Sequence, residues 1–226
     1  MARQVSGLMI AMVVASASVF AQSDGLAFLE WTRTQAEAIG RSMRVDGRVG
    51  GAFDLRVIRT ERSYNYKLRA TLMTSDVIRA TARLLQLARG LSNDEAAGLV
   101  AEAEAAGDLV VMLEIDPREG SGVIPPDMVV LLRPKDGDER SAIRGRVTPA
   151  LRDVRALGGT LRRDYAYEQV WVVFPLSEER ADALAGARVE NLEVVVRIYD
   201  KEGRVSWPIP DSLRLRKAAR QLVVTP

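Results

Sequence analysis

The chain predicts a mainly β fold with helical additions (α+β), arranged as an antiparallel β-sandwich. Three observations lead there. Several segments alternate apolar and polar residues with period two, the signature of strands with one buried face. The later strands follow one another without helices of crossover length, which favours antiparallel pairing and sheet-on-sheet packing. Between the two groups of strands, at about 75–106, the apolar period changes to that of a helix.

Taken in order, Asp24 can cap a helix that starts near Gly25, with Leu26, Leu29, Ala36, Ile39 and Met43 on one stripe. Asp46 to Gly51 holds three glycines and reads as a flexible joint. Phe53, Leu55 and Val57 alternate with Asp54 and Arg56. After the polar turn at 60–63, Tyr64, Tyr66, Leu68, Ala70 and Leu72 alternate with Asn65, Lys67, Arg69 and Thr71. These two runs predict an antiparallel hairpin.

Thr74 or Ser75 then caps a helix to about Arg89, with Val77, Thr81, Leu84, Leu85 and Ala88 on its stripe. Gly90 supplies the left-handed stop. Ser92, with Glu95 three residues on, has the spacing of a capping box for a second helix that ends at Gly107. The two helices predict an α-helical hairpin.

Leu109 to Asp116 returns to strand period, and its first half is apolar on both faces, as a central strand requires. Met128 to Leu132 is a short apolar run, Asp136-Gly137-Asp138 a turn, and Ile143 to Val147 a further strand. Leu151 to Leu157 fits one helical turn. Tyr165 to Phe174 is a strand dense in Tyr, Trp and Val, followed by a short helix capped by Ser177. Leu192 to Ile198 and Val205 to Ile209 alternate around a turn at Asp200-Lys201-Glu202-Gly203. Pro208 and Pro210 confine the last strand to an edge or an end. Seven or more strands in this arrangement suggest an Ig-like general architecture.

The N-terminus carries a different signal. Arg3 precedes an uncharged run from Gly7 to Phe20, and Val19-Phe20-Ala21 suits signal peptidase. This predicts a Sec-type signal peptide cleaved after Ala21 and a periplasmic or secreted product. A retained anchor wants about 20 apolar residues, more than this run supplies. No membrane span is expected after cleavage. The expected organisation is signal peptide 1–21, N-terminal helix and flexible joint 22–50, β-sandwich domain 51–210 with the helical hairpin inside it, and C-terminal tail 211–226.

Composition narrows the chemistry. Cys and His are both zero. Disulfide staples, Ser-His-Asp triads, Cys-His pairs and imidazole metal ligands are therefore excluded. Carboxylates, Lys, Tyr, or a Ser activated by Lys remain. The 32 basic and 30 acidic residues nearly cancel, so there is no nucleic-acid footprint despite a pI of 9.1. The lysines are only Lys67, Lys135, Lys201 and Lys217, and none lies at a Ser-x-x-Lys spacing.

Several clusters could carry function, and each has a plainer reading. Asp136, Asp138 and Glu139 could bind Ca²⁺, but they lack EF-hand spacing and read as turn acids. Glu114 and Asp116 share a strand face and could do paired acid/base work, with Glu168 on another strand; a solvated face is the ordinary alternative. Arg162, Arg163, Tyr165, Tyr167 and Trp171 could form a binding stripe, against a core role for the aromatics. Gly120-Ser121-Gly122 lacks the Lys-Ser/Thr ending of a phosphate loop. The apolar runs 109–113, 128–132 and 192–198 could offer an edge to a partner strand, or be ordinary buried strands.

No catalytic, cofactor-binding or metal residue is assigned, and no cofactor is expected. The sequence points to an exported, non-enzymatic binding or scaffolding module of the bacterial cell envelope, with a possible protein partner there. The alternatives are a carboxylate-dependent hydrolase acting on polysaccharide and a small-molecule or lipid carrier. The leader makes a direct prediction: intact-mass measurement of the exported protein gives a chain that begins at Gln22, and a mass that includes residues 1–21 would contradict it.

Overall fold

The computed structural model describes residues 25–50, 65–105, 109–117, 127–148, 168–177, 179–180, 184, 189–210 and 213–214. Among them the fold is mixed α+β, with two antiparallel sheets and three helices. The helices are α1 (Arg33–Ser42), α2 (Ser75–Arg89) and α3 (Asn93–Ala105). The strands are β1 (Arg44–Val49), β2 (Tyr66–Met73), β3 (Leu109–Pro117), β4 (Val129–Pro134), β5 (Ile143–Arg144), β6 (Arg146–Val147), β7 (Glu168–Phe174), β8 (Asn191–Ile198) and β9 (Lys201–Pro208). One sheet has the order β1-β2-β3-β7-β6 and the other β5-β4-β8-β9.

Local chemistry sets the helix ends. Thr32 Oγ1 accepts from the Gln35 N–H at 3.2 Å, and the Thr32 N–H donates to Gln35 Oε1 at 2.9 Å. This capping box restarts the chain. The single helix expected from Gly25 is therefore a 3-10 turn at Ala27–Glu30 and a separate α1. Thr74 caps α2, accepting from Val77 N–H, and Gly90 closes it in the left-handed region at φ 68°. Ser92 and Glu95 make the predicted reciprocal pair at the start of α3.

Two clusters of buried side chains define the layers. The first lies between the sheets. It takes Tyr66, Leu68, Ala70 and Leu72 from β2, Val111, Leu113 and Ile115 from β3, and Val194, Val196 and Trp207 from β8 and β9. The second lies on the other face of the five-stranded sheet. There Met73, Val110, Met112, Trp171 and Val173 meet Phe28, Val77, Ile78, Ala82, Ala96 and Val100. The five-stranded sheet is thus buried on both faces along much of its length, which is why β3 reads apolar on both sides. It also explains Thr71, expected on a wet face and 1% exposed. On α2 the buried face has turned slightly from the expected stripe: Ile78 and Ala82 are buried and Ala88 is exposed.

The sheets meet at both sides. On one side a single chain segment supplies β5 to one sheet and β6 to the other, stepping across at Gly145. A Cβ at Gly145 would sit 2.3 Å from Val172 Cγ1 and 2.8 Å from Phe174 Cε1. On the other side β1 runs beside β9. Gly50 N–H donates to Glu202 O at 3.1 Å, and Trp207 Nε1–H donates to Met43 O at 2.6 Å. A Cβ at Gly203 would stand 2.3 Å from Arg48 O, closer than real Cβ atoms approach.

Two sequence expectations change here. The joint expected over Asp46–Gly51 is strand β1 up to Val49, hydrogen-bonded to β2 along its length. Gly47 serves the approach to β9 rather than flexibility: a Cβ there would meet Val205 Cγ1 at 2.8 Å. The turn expected at 200–203 lies at Tyr199-Asp200, because Ile198 faces Lys201 and Gly203 sits inside β9. Tyr199 takes φ 55° there. The strand expected at 53–57, the turn at 60–63, the helical turn at 151–157 and residues 165–167 lie outside the described residues. The partners of β2 are β1 and β3.

Substitution tests the two meeting points. Gly203→Ala and Gly145→Ala each destabilise by more than about 2 kcal/mol, because rigid neighbours must move. Gly98→Ala, on the exposed side of α3 with nothing within 4 Å of the new Cβ, stabilises by about 0.5–1 kcal/mol. Urea denaturation of the three variants measures this contrast, and equal effects at all three would contradict it.

Candidate functional site

The ionisable side chains most enclosed by the fold lie on the helix-facing side of the five-stranded sheet. Strand register sets them in rows. Arg44, Thr71, Met112 and Trp171 form one row, and Asp46, Arg69, Glu114 and Gln169 the next. Arg48, Lys67 and Asp116 follow. Along the strands the face therefore changes from an apolar row to ionic rows.

Glu114 and Asp116 are 1% and 2% exposed, on the central strand β3. Burying carboxylates is costly unless cations or hydrogen bonds compensate. Here β2 supplies the cations. Arg69 Nη1 lies 3.8 Å from Glu114 Oε2, and Lys67 Nζ lies 3.9 Å from Asp116 Oδ2. Arg69 also donates from Nε to Asp46 Oδ1 at 2.8 Å, so it links β1 to β3 across β2. Gln169 Nε2–H donates to Glu114 Oε1 at 3.3 Å from β7. Four neighbouring strands thus contribute to one ionic row.

The two acids sit two residues apart on one strand face, about 6–7 Å along the strand. That spacing suits two-carboxylate chemistry. Each acid, however, is enclosed and sits beside a cation of β2. Chemically the row can tie strands together; acid/base work on a substrate would need a route to these oxygens.

The outward face of the four-stranded sheet carries a second ionic set. Arg133 donates from Nε and Nη2 to Glu193 Oε2 at 3.0 and 2.8 Å, joining β4 to β8. Arg197 donates to Glu139 Oε1 at 2.5 Å and to Glu202 Oε2 at 2.8 Å, and Arg204 donates to Glu202 Oε1 at 2.7 Å. The hydrogen bond from Arg197 holds the Glu139 carboxyl below its ordinary value. It does the same for Glu202, with help from Arg204 against the opposing effect of burial. These two hydrogen bonds raise Arg197 further above its ordinary value.

The other sequence candidates fall as follows. Asp136 occupies a turn at φ 61°, and Asp138 caps the 3-10 turn Glu139–Ser141, its Oδ1 accepting from Arg140 N–H at 3.1 Å. With Glu139 on Arg197, these acids are used in local structure. Among the described residues no group of three or more acidic side chains is arranged to hold a metal ion. Trp171 is 3% exposed, inside the cluster between sheet and helices. Its proposed companions Arg162, Arg163, Tyr165 and Tyr167 lie outside the described residues, as do Ser121 and its flanking glycines. Glu168 begins β7. The apolar runs at 109–113, 128–132 and 192–198 belong to β3, β4 and β8, each of which has a strand on both sides. β3 and β8 are paired along their length, while β4 meets β5 only at Leu131 and Leu132.

Sequence reading found Glu114 and Asp116 but missed their partners. The signal was present: Lys67-x-Arg69 and Glu114-x-Asp116 have opposite charge at the same spacing. Only the β2–β3 register turns that coincidence into a contact. Arg197, the centre of the other network, carried no such signal.

Two measurements test these assignments. Arg69→Met removes a cation 3.8 Å from the enclosed Glu114 and destabilises by about 3 kcal/mol, and adding Glu114→Gln recovers most of the loss. Additive losses in that double-mutant cycle would contradict the pairing. Glu202 has a lowered folded value, so its contribution is complete above the ordinary carboxylate value of 4.5 and disappears as pH falls through the lowered one. Glu202→Gln therefore flattens the acid limb of stability against pH; an unchanged limb would contradict it.

Comparison with protein-family models, with curated proteins and with solved structures finds no match.

Proposed function

We propose that the protein is an exported, non-enzymatic binding or scaffolding module of the bacterial cell envelope, periplasmic or secreted once the leader is cut after Ala21. The observation that carries this reading is the state of the two best-placed carboxylates. Glu114 and Asp116 are almost fully enclosed, each beside a cation from β2. The absence of His and Cys removes the usual nucleophile-and-base sets. Near-balanced charge argues against a nucleic-acid partner. Among the described residues no helix is long and apolar enough to cross a membrane.

The architecture proposed with this function is a β-sandwich carrying its helices, as a helical hairpin, on one outer face. A core shared by two antiparallel sheets supports the sandwich. The Ig-like description draws its support from the two-sheet plan alone. A protein partner is proposed to meet an outer face, since the apolar runs 109–113 and 192–198 belong to the interior strands β3 and β8.

A carboxylate-dependent hydrolase of polysaccharide is the second reading. It is favoured by one observation, the shared face of Glu114 and Asp116 on β3. Expression of the full chain, cell fractionation and gentle cross-linking separate the two. The proposal expects the protein in the periplasm or medium, a reproducible envelope partner, and no release of sugars from a panel of polysaccharides. Hydrolysis that Glu114→Gln or Asp116→Asn abolishes, with the fold intact by circular dichroism, would overturn it. A cytoplasmic protein would overturn the localisation.

A further inference from the structure

We draw no further inference here: the strongest candidate, the half-exposed Tyr199 held at φ 55° on the tip of the β8–β9 hairpin, carries nothing because nothing in the structure shows what would cover it.

Discussion

The close approach of backbones where the two sheets meet is the constraint on which the rest of the fold depends. At Gly203 the chain passes so near Arg48 that a single added carbon would press on a carbonyl. At Gly145 one segment leaves one sheet and enters the other through a space too small for a side chain. With the sheets fixed at both sides, their inner faces must fill the space between them. Tyr66, Leu113, Val194 and Trp207 do so without help from disulfides, which a chain lacking cysteine cannot form.

The same arrangement determines the surface chemistry of the five-stranded sheet. Its inner face is occupied, so the helices have only its outer face to cover. They cover the part lined by Met73, Val110, Met112, Trp171 and Val173. On the same face β3 also carries Glu114 and Asp116, almost fully enclosed. Carboxylates on a central strand are stable there only with compensating charge. The antiparallel register brings Arg69 and Lys67 opposite them, and Asp46 and Gln169 extend the row to β1 and β7. Glu114 and Asp116, which the sequence places on one strand face with a solvated face as the ordinary reading, lie enclosed beside Arg69 and Lys67 as the electrostatic counterpart of sheet pairing.

Much of the layout was legible in the sequence because the signals are local. Thr74, Gly90 and the Ser92/Glu95 pair mark helix ends within a few residues. The doubly apolar start of β3 announces a strand covered on both faces. What was not legible depends on contacts far apart in the chain. Gly47 and Gly203 look like punctuation, since glycine is common in joints and turns, yet both lie inside strands that must pass close to each other. The break at Gly145 reads as part of one strand, and only the sheets show that it divides two. Thr32 and Gln35 form a capping box that apolar periodicity alone overlooked. At the ionic row the acids were visible, while the register that gives them cations was not.

The most direct test of the account is native-state hydrogen exchange on the full chain, followed at the Gly50 and Gly145 amides and the Trp207 indole. These groups donate where the sheets meet, to Glu202, Val130 and Met43 respectively. If closure holds the fold together, all three exchange only with global unfolding, at the free energy measured for amides of β3. If they exchange far more readily while β3 stays protected, the sheets are stable without their closure, and the central claim is wrong.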